Sequence, residues 1–275
     1  MTATKTNKHP IGGLSDKLAQ PALLLGALLT ALAFVLAFTV ASPVVGAKVN
    51  GVELIGNEMI GNQILLSQKI FYFHMPVAVV SMVVLTGTAF FAIRFLMTRD
   101  ALYDLKAKIC TEIGLVFVIC TMVSGDLWTR FEWGVWWVWE PRLTTYLILT
   151  LMVIAYFILR AAVDEPERRA TYASVFSLIM YVDVPISFFI TRLIPSSVHP
   201  VIMRSDSGMS PDMLAPLMCA LFGFCLIAFG LYRFRARTEL IALRVEAAKD
   251  TLDDEDLAFV PNERNDGMTI TTGMN

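Results

Sequence analysis

Charge is scarce in this chain. Its 275 residues hold 22 Lys and Arg and 24 Asp and Glu, 17% of the whole, where a soluble domain carries about a quarter. So thin a charged coat argues against a water-soluble globule. The formal net charge of −2 excludes a basic surface for nucleic acid. Cysteine is also sparse. Cys110, Cys120, Cys219 and Cys225 form neither CxxC nor CxxCH, which excludes a thioredoxin-like motif and covalent c-type haem attachment. Each lies in an apolar run, so each is expected to be a small buried hydrophobe. No repeat of solenoid type and no low-complexity segment is present.

What the chain has in plenty is apolar residues, 56% of the total. They gather into six runs, at about 22–41, 71–97, 109–127, 143–160, 171–193 and 213–232. Each approaches the ~20 residues that cross the hydrocarbon. The expected fold is an all-α integral membrane protein with six transmembrane helices, the fifth interrupted by Asp183 and Pro185. The first run is too long, and starts too far in, for a cleaved signal peptide, and no small-residue cleavage pattern near it is compelling.

Loop charges orient the spans. One side gathers Lys5, Lys8 and Lys17, then Arg99, Lys106 and Lys108, then Arg160, Arg168 and Arg169, then Arg233, Arg235, Arg237 and Arg244. The other side holds only Lys48, Lys69, Arg130, Arg142, Arg192 and Arg204. Basic residues accumulate on the cytoplasmic side, so both termini are expected inside. The loops at about 42–70, 128–142 and 194–212 then face outward. The domain reading is a cytoplasmic tail over 1–20, a six-helix membrane domain over 21–235, and a polar tail over 236–275. The acids Asp250, Asp253, Asp254, Glu255 and Asp256 make that last tail a candidate for disorder.

The second outward loop is the most informative stretch. Trp133, Trp136, Trp137 and Trp139 are four of the chain's five tryptophans and fall within seven residues, with Trp128 just upstream. Such a run predicts a flat aromatic surface near the membrane interface, fit for a large planar partner. Arg130 and Arg142 are the nearby cations, and guanidinium pairs well with carboxylate.

Three histidines complete the inventory. His9 lies in the polar tail, where a solvated role is the default. His74 stands at the outer mouth of span two and His199 in the loop after span five. Taken singly, each feature has an ordinary reading: an interfacial His is more often a hydrogen-bonding group, Trp an interface anchor, and Arg142 a helix cap or headgroup contact. Taken together on one face, two imidazoles and an aromatic shelf match the needs of a b-type haem, bound through axial imidazoles. A transmembrane cytochrome b is disfavoured, because it sets histidines in pairs within facing spans.

The stretch Trp133-Gly134-Val135-Trp136-Trp137-Val138-Trp139-Glu140-Pro141-Arg142-Leu143-Thr144 resembles the tryptophan-rich signature of haem-handling proteins in cytochrome c maturation. Its double Trp and the following Arg-Leu-Thr look like the CcmC family, the haem exporter C of System I. Phe73-His74-Met75-Pro76 is similar to that family's first axial histidine region. Asp183-Val184-Pro185-Ile186 followed by His199 is similar to its fifth helix and second axial histidine. The resemblance covers about residues 20–235. Glu140-Pro141 departs from the usual Asp and following residue, and the tryptophans often found before the second histidine are missing here.

The resemblance implies a haem-transfer protein rather than a catalyst, in the bacterial inner membrane. It would hold non-covalent haem b at the outer face, with His74 and His199 as axial ligands and Trp133, Trp136, Trp137 and Trp139 as the platform. It implies delivery to the periplasmic haem chaperone CcmE, and an ATP-binding cassette complex among the partners. Three other readings compete: a CcsA- or CcmF-like haem lyase, which has more spans and extra histidines; a plain haem transporter, which needs a polar pathway; and a non-haem structural subunit.

Overall fold

The computed structural model describes residues 14–42, 58–194 and 211–258, with side chains described over 17–42, 68–194 and 211–252. Every regular element among these residues is a helix: α1 Leu14–Thr39, α2 Glu58–Thr98, α3 Ala101–Trp133, α4 Pro141–Ala162, α5 Pro166–Leu193 and α6 Pro211–Ala258. All six contain a stretch long and apolar enough to cross a membrane. In lipid the backbone must satisfy its own polar groups, and a helix does this within one segment. His9 and His199 lie outside the described residues.

Local chemistry starts the helices. Asp100 caps α3 by accepting from the Leu102 N–H at 2.9 Å. Glu165 caps α5 through the N–H groups of Glu167 and Arg168, both at 3.2 Å, with Pro166 in the first turn. The missing N–H of proline costs nothing there, since that donor has no partner inside the helix.

Packing centres on α2, which contributes to all three buried apolar clusters. Tyr72 packs with Ala37 and Leu217, Val77 and Val80 with Ile109 and Phe224, and Leu85 with Leu149 and Met180. Where α1 meets α6 the contact depends on glycine: a Cβ on Gly26 would stand 2.7 Å from the Gly223 carbonyl oxygen. Small residues let membrane helices approach this closely. The outward faces carry exposed apolar side chains, among them Leu24, Leu28 and Phe38 on α1, Phe90 and Met97 on α2, and Phe222 on α6. A soluble monomer rarely shows so much apolar surface, while lipid tails cover it at no cost.

Several expectations need correcting. The helices are longer than the apolar runs. α2 begins at Glu58, inside the expected first outer loop, and α3 runs on to Trp133. Apolar length marks where a helix crosses lipid, and caps mark where it ends. Asp183 and Pro185 do not interrupt α5, which is continuous from Pro166 to Leu193. Membrane helices tolerate an internal proline, and the Asp183 carboxylate is held within the helix by the Ser187 hydroxyl at 3.2 Å. Residues 236–258 are helical rather than without structure. Their Ala, Leu, Glu, Arg and Lys are strong helix formers, which outweighs the polarity that suggested a coil. Among the cysteines, Cys110 is buried but Cys225 is exposed, on an apolar surface where a thiol behaves as a small hydrophobe.

The chain divides into two compact units, Met1–Ala236 and Arg237–Asn275. The first holds the packed helices and the site. In the second, the described residues are the last turns of α6, and those from Ile241 to Leu252 are exposed.

Candidate functional site

The tryptophan stretch straddles an element boundary. Trp128 and Trp133 sit on the last turns of α3, and only residues 134–140 form a loop before α4. Gly134 ends α3 with φ of 74°, a left-handed conformation that a side chain would strain. Arg130 donates to the Gly134 carbonyl and lies over the Trp136 ring at 6.0 Å. The guanidinium offered by sequence as a carboxylate partner is therefore used to finish a helix and support a tryptophan.

The rings do not make one flat shelf. Trp128 and Trp133 meet edge to face, with centroids 5.2 Å apart and planes at 79°. Trp137 and Trp139 do the same at 5.5 Å and 81°. Aromatic quadrupoles favour this crossing over coplanar contact. The result is two crossed pairs with Trp136 beside them. Trp136 and Trp139 are 59% and 76% exposed, so their faces remain available to a partner.

The far side of the loop is anchored. Glu140, only 6% exposed, caps α4 by accepting from the Leu143 N–H at 2.8 Å, and Pro141 opens the helix. The Glu-Pro departure from the usual signature is thus a built helix start. Next to it, Arg142 reaches across to α5. Its Nη2 donates to Thr191 Oγ1 at 2.9 Å and to the Phe188 carbonyl at 3.2 Å.

Two donors here are buried without an acceptor among the described residues: Trp137 Nε1 and Arg142 Nε. An unmade buried hydrogen bond is costly, by about 1–3 kcal/mol. Both atoms would be satisfied by an incoming carboxylate or other acceptor.

His74 lies within α2, about 24 Å along the axis from the helix start at Glu58. Its Nδ1 is 3.0 Å from Ser124 Oγ on α3. The ring rests against a gap left by Gly125, where a Cβ would stand 3.2 Å from His74 Cε1. Trp128 follows Gly125 by three residues, so it shares that face of α3 one turn nearer the loop. One helix thereby carries the support of the imidazole and the first crossed tryptophan pair. Ser124 and Gly125 were not singled out in the sequence. The signal was a small-residue pair in an apolar span, which marks close helix approach.

No cluster of three or more His, Cys, Asp or Glu among the described residues is placed to hold a bare metal ion. A metal that arrives inside a planar macrocycle needs only axial donors from the protein. An imidazole, exposed aromatic faces and two donors awaiting an acceptor suit a flat apolar molecule that carries carboxylates.

The model of the family described as heme exporter protein C matches residues 13–251. The chain belongs to the heme exporter protein C family. It is 33% identical over 181 residues to "Heme exporter protein C" of Bradyrhizobium diazoefficiens, covering 65% of this chain and 69% of that relative. It is 29% identical over 177 residues to the protein of the same name in Escherichia coli K12, covering 64% and 72%. A ccmC-like mitochondrial protein of cytochrome c biosynthesis from Marchantia polymorpha is 36% identical over 121 residues, covering 44% and 50%. The heme exporter protein C match reaches into all six helices and covers His74, the tryptophan stretch and Arg142.

Proposed function

We propose that this protein handles haem for cytochrome c biogenesis. It binds b-type haem at the outer face of the bacterial inner membrane and passes it to the periplasmic chaperone CcmE, alongside an ATP-binding cassette complex. In this reading both termini are cytoplasmic and the tryptophan loop is periplasmic, as the basic loops favour. His74 and His199 are the axial ligands. Trp133, Trp136, Trp137 and Trp139 form the contact surface, and Arg142 meets a propionate. The role is transfer, with no covalent step of the protein's own.

The observation that carries the reading is the pair of buried, acceptor-seeking donors on Trp137 and Arg142, beside exposed Trp136 and Trp139. Haem offers what each lacks: carboxylate oxygens for the donors and a porphyrin plane for the rings. Bound haem supplies an iron that accepts nitrogen lone pairs. The chain's own residues bind, orient and release it. The crossed rings point to contact with the porphyrin through edges as well as faces.

The test is visible absorption of the detergent-purified protein, with and without dithionite. A b-type spectrum is expected, with haem extractable by acid acetone because no CxxCH holds it. His74→Ala and His199→Ala should each shift the spectrum and respond to added imidazole, and His9→Ala should not. A preparation that stays colourless after added haemin would falsify the reading.

A further inference from the structure

Ser124 has one hydroxyl proton, and the backbone claims it. Its Oγ lies 2.6 Å from the Cys120 carbonyl oxygen and 3.1 Å from that of Thr121. Carbonyls only accept, so contacts this short require the proton to point at them; otherwise lone pairs would face each other in a buried place. Ser124 Oγ can then offer only a lone pair to His74 Nδ1, at 3.0 Å. The Nδ1 nitrogen must carry the hydrogen. In a neutral imidazole this puts the lone pair on Nε2.

We propose that Ser124 is a positioning residue that holds His74 in the Nδ1–H tautomer, so that Nε2 meets the haem iron with a lone pair already in place. No proton then has to leave the ring when the iron–nitrogen bond forms. Gly125 completes the seat: without a Cβ, it lets the ring lie against α3 and sets its rotation. The hydrogen bond to a ligand's second nitrogen commonly fixes its tautomer and direction. The inference rests on the reading of His74 as a haem ligand. The bland alternative is that Ser124 only ties α2 to α3.

The tautomer can be read without haem. The chain has three histidines, so a nitrogen spectrum of the haem-free, full-length protein, labelled with 15N-histidine in lipid bilayers, is simple. Subtracting the His74→Ala spectrum isolates the His74 ring. The spectrum is recorded at about pH 8.5, well above the ordinary imidazole value near 6.5. The Nδ1–H form is expected in the wild type, a shift toward Nε2–H in Ser124→Ala, and restoration in Ser124→Thr, which keeps the hydroxyl. Haem affinity should fall about 10- to 100-fold in Ser124→Ala and recover in Ser124→Thr.

A wild-type ring in the Nε2–H form overturns the proposal, and this measurement needs no variant to fold. If His74→Ala strips the haem spectrum while Ser124→Ala changes neither tautomer nor spectrum, the positioning role alone falls. If His74→Ala leaves the haem spectrum unchanged, the ligand reading falls and takes the positioning role with it.

Discussion

The two ends of the helical bundle treat their charged groups differently. At the end where α3 begins, guanidinium meets carboxylate. Arg160 of α4 forms a two-pronged pair with Asp104 of α3, at 2.6 and 2.9 Å. Arg235 of α6 does the same with Glu112, at 2.7 and 3.3 Å, and Lys108 stands 3.6 Å from Glu112. Where α3 ends, Arg142 is held by a hydroxyl and a carbonyl, and its Nε lacks an acceptor among the described residues. The same side-chain type thus clasps helices at one end and keeps capacity in reserve at the other. Stability and receptivity are built at separate sites, so they should be separable by mutation.

Removing a clasp should give the largest loss of stability. Both partners of the Asp104–Arg160 pair are largely buried, and Arg160→Ala leaves a carboxylate without its counter-charge. Breaking such a pair costs on the order of 3 kcal/mol. Thermal unfolding in detergent should start well below the wild type, with membrane abundance reduced. An unchanged unfolding curve would erase the contrast between the ends.

The complementary variant replaces Trp136, Trp137 and Trp139 together by Ala. Loading of the chaperone should be abolished while membrane abundance and helix content stay near normal, because these rings lie in the loop between α3 and α4 rather than in an apolar cluster. Abundance and loading that fall in proportion would make the loop structural. Normal loading would reduce it to an interface anchor.

Arg142→Ala sharpens the comparison, because Arg142 belongs to both sides of it. Loss of a charge-assisted contact should weaken haem retention by about 1.5–3 kcal/mol, and loss of the bonds to Thr191 and Phe188 should loosen α4 against α5. Arg142→Lys separates the two: it keeps a charge for a propionate but cannot span both α5 acceptors and a ligand. Haem titration and unfolding temperature, measured on both variants, should move by different amounts. If they move together, Arg142 is a clasp like the others.

Glu112→Gln should have the smallest effect. Arg235 is partly exposed, and partly solvated pairs contribute up to about 1 kcal/mol. A small drop in unfolding temperature with unchanged haem retention is expected. A larger loss of haem than of stability would tie the two ends together.

The architecture was legible because lipid imposes a simple rule on composition: long apolar runs with charges between them. The caps were harder to read. Glu140 looked like a departure from a signature and is a helix start, because an N-cap is defined by the backbone it meets rather than by its side chain alone. The aromatic stretch was plain in sequence, but its geometry was not. Edge-to-face crossing depends on where α3 stops, and Gly134 with Arg130 decides that. Ser124 stayed hidden among apolar neighbours because its role appears only when α2 brings His74 alongside it.

The bond from Arg142 to Thr191 also has a kinetic meaning. It fixes the last turn of α5 beside the tryptophan loop, and from Ile194 to His199 the covalent chain reaches at most about 18 Å. Were His199 the second axial ligand proposed above, an imidazole within that reach would act at an effective concentration on the order of millimolar, and it would be the nearest candidate to remake a broken bond to the iron. A cargo held in that way could be loosened one bond at a time, and a competing ligand on a docked partner would need only to match that local concentration to take it.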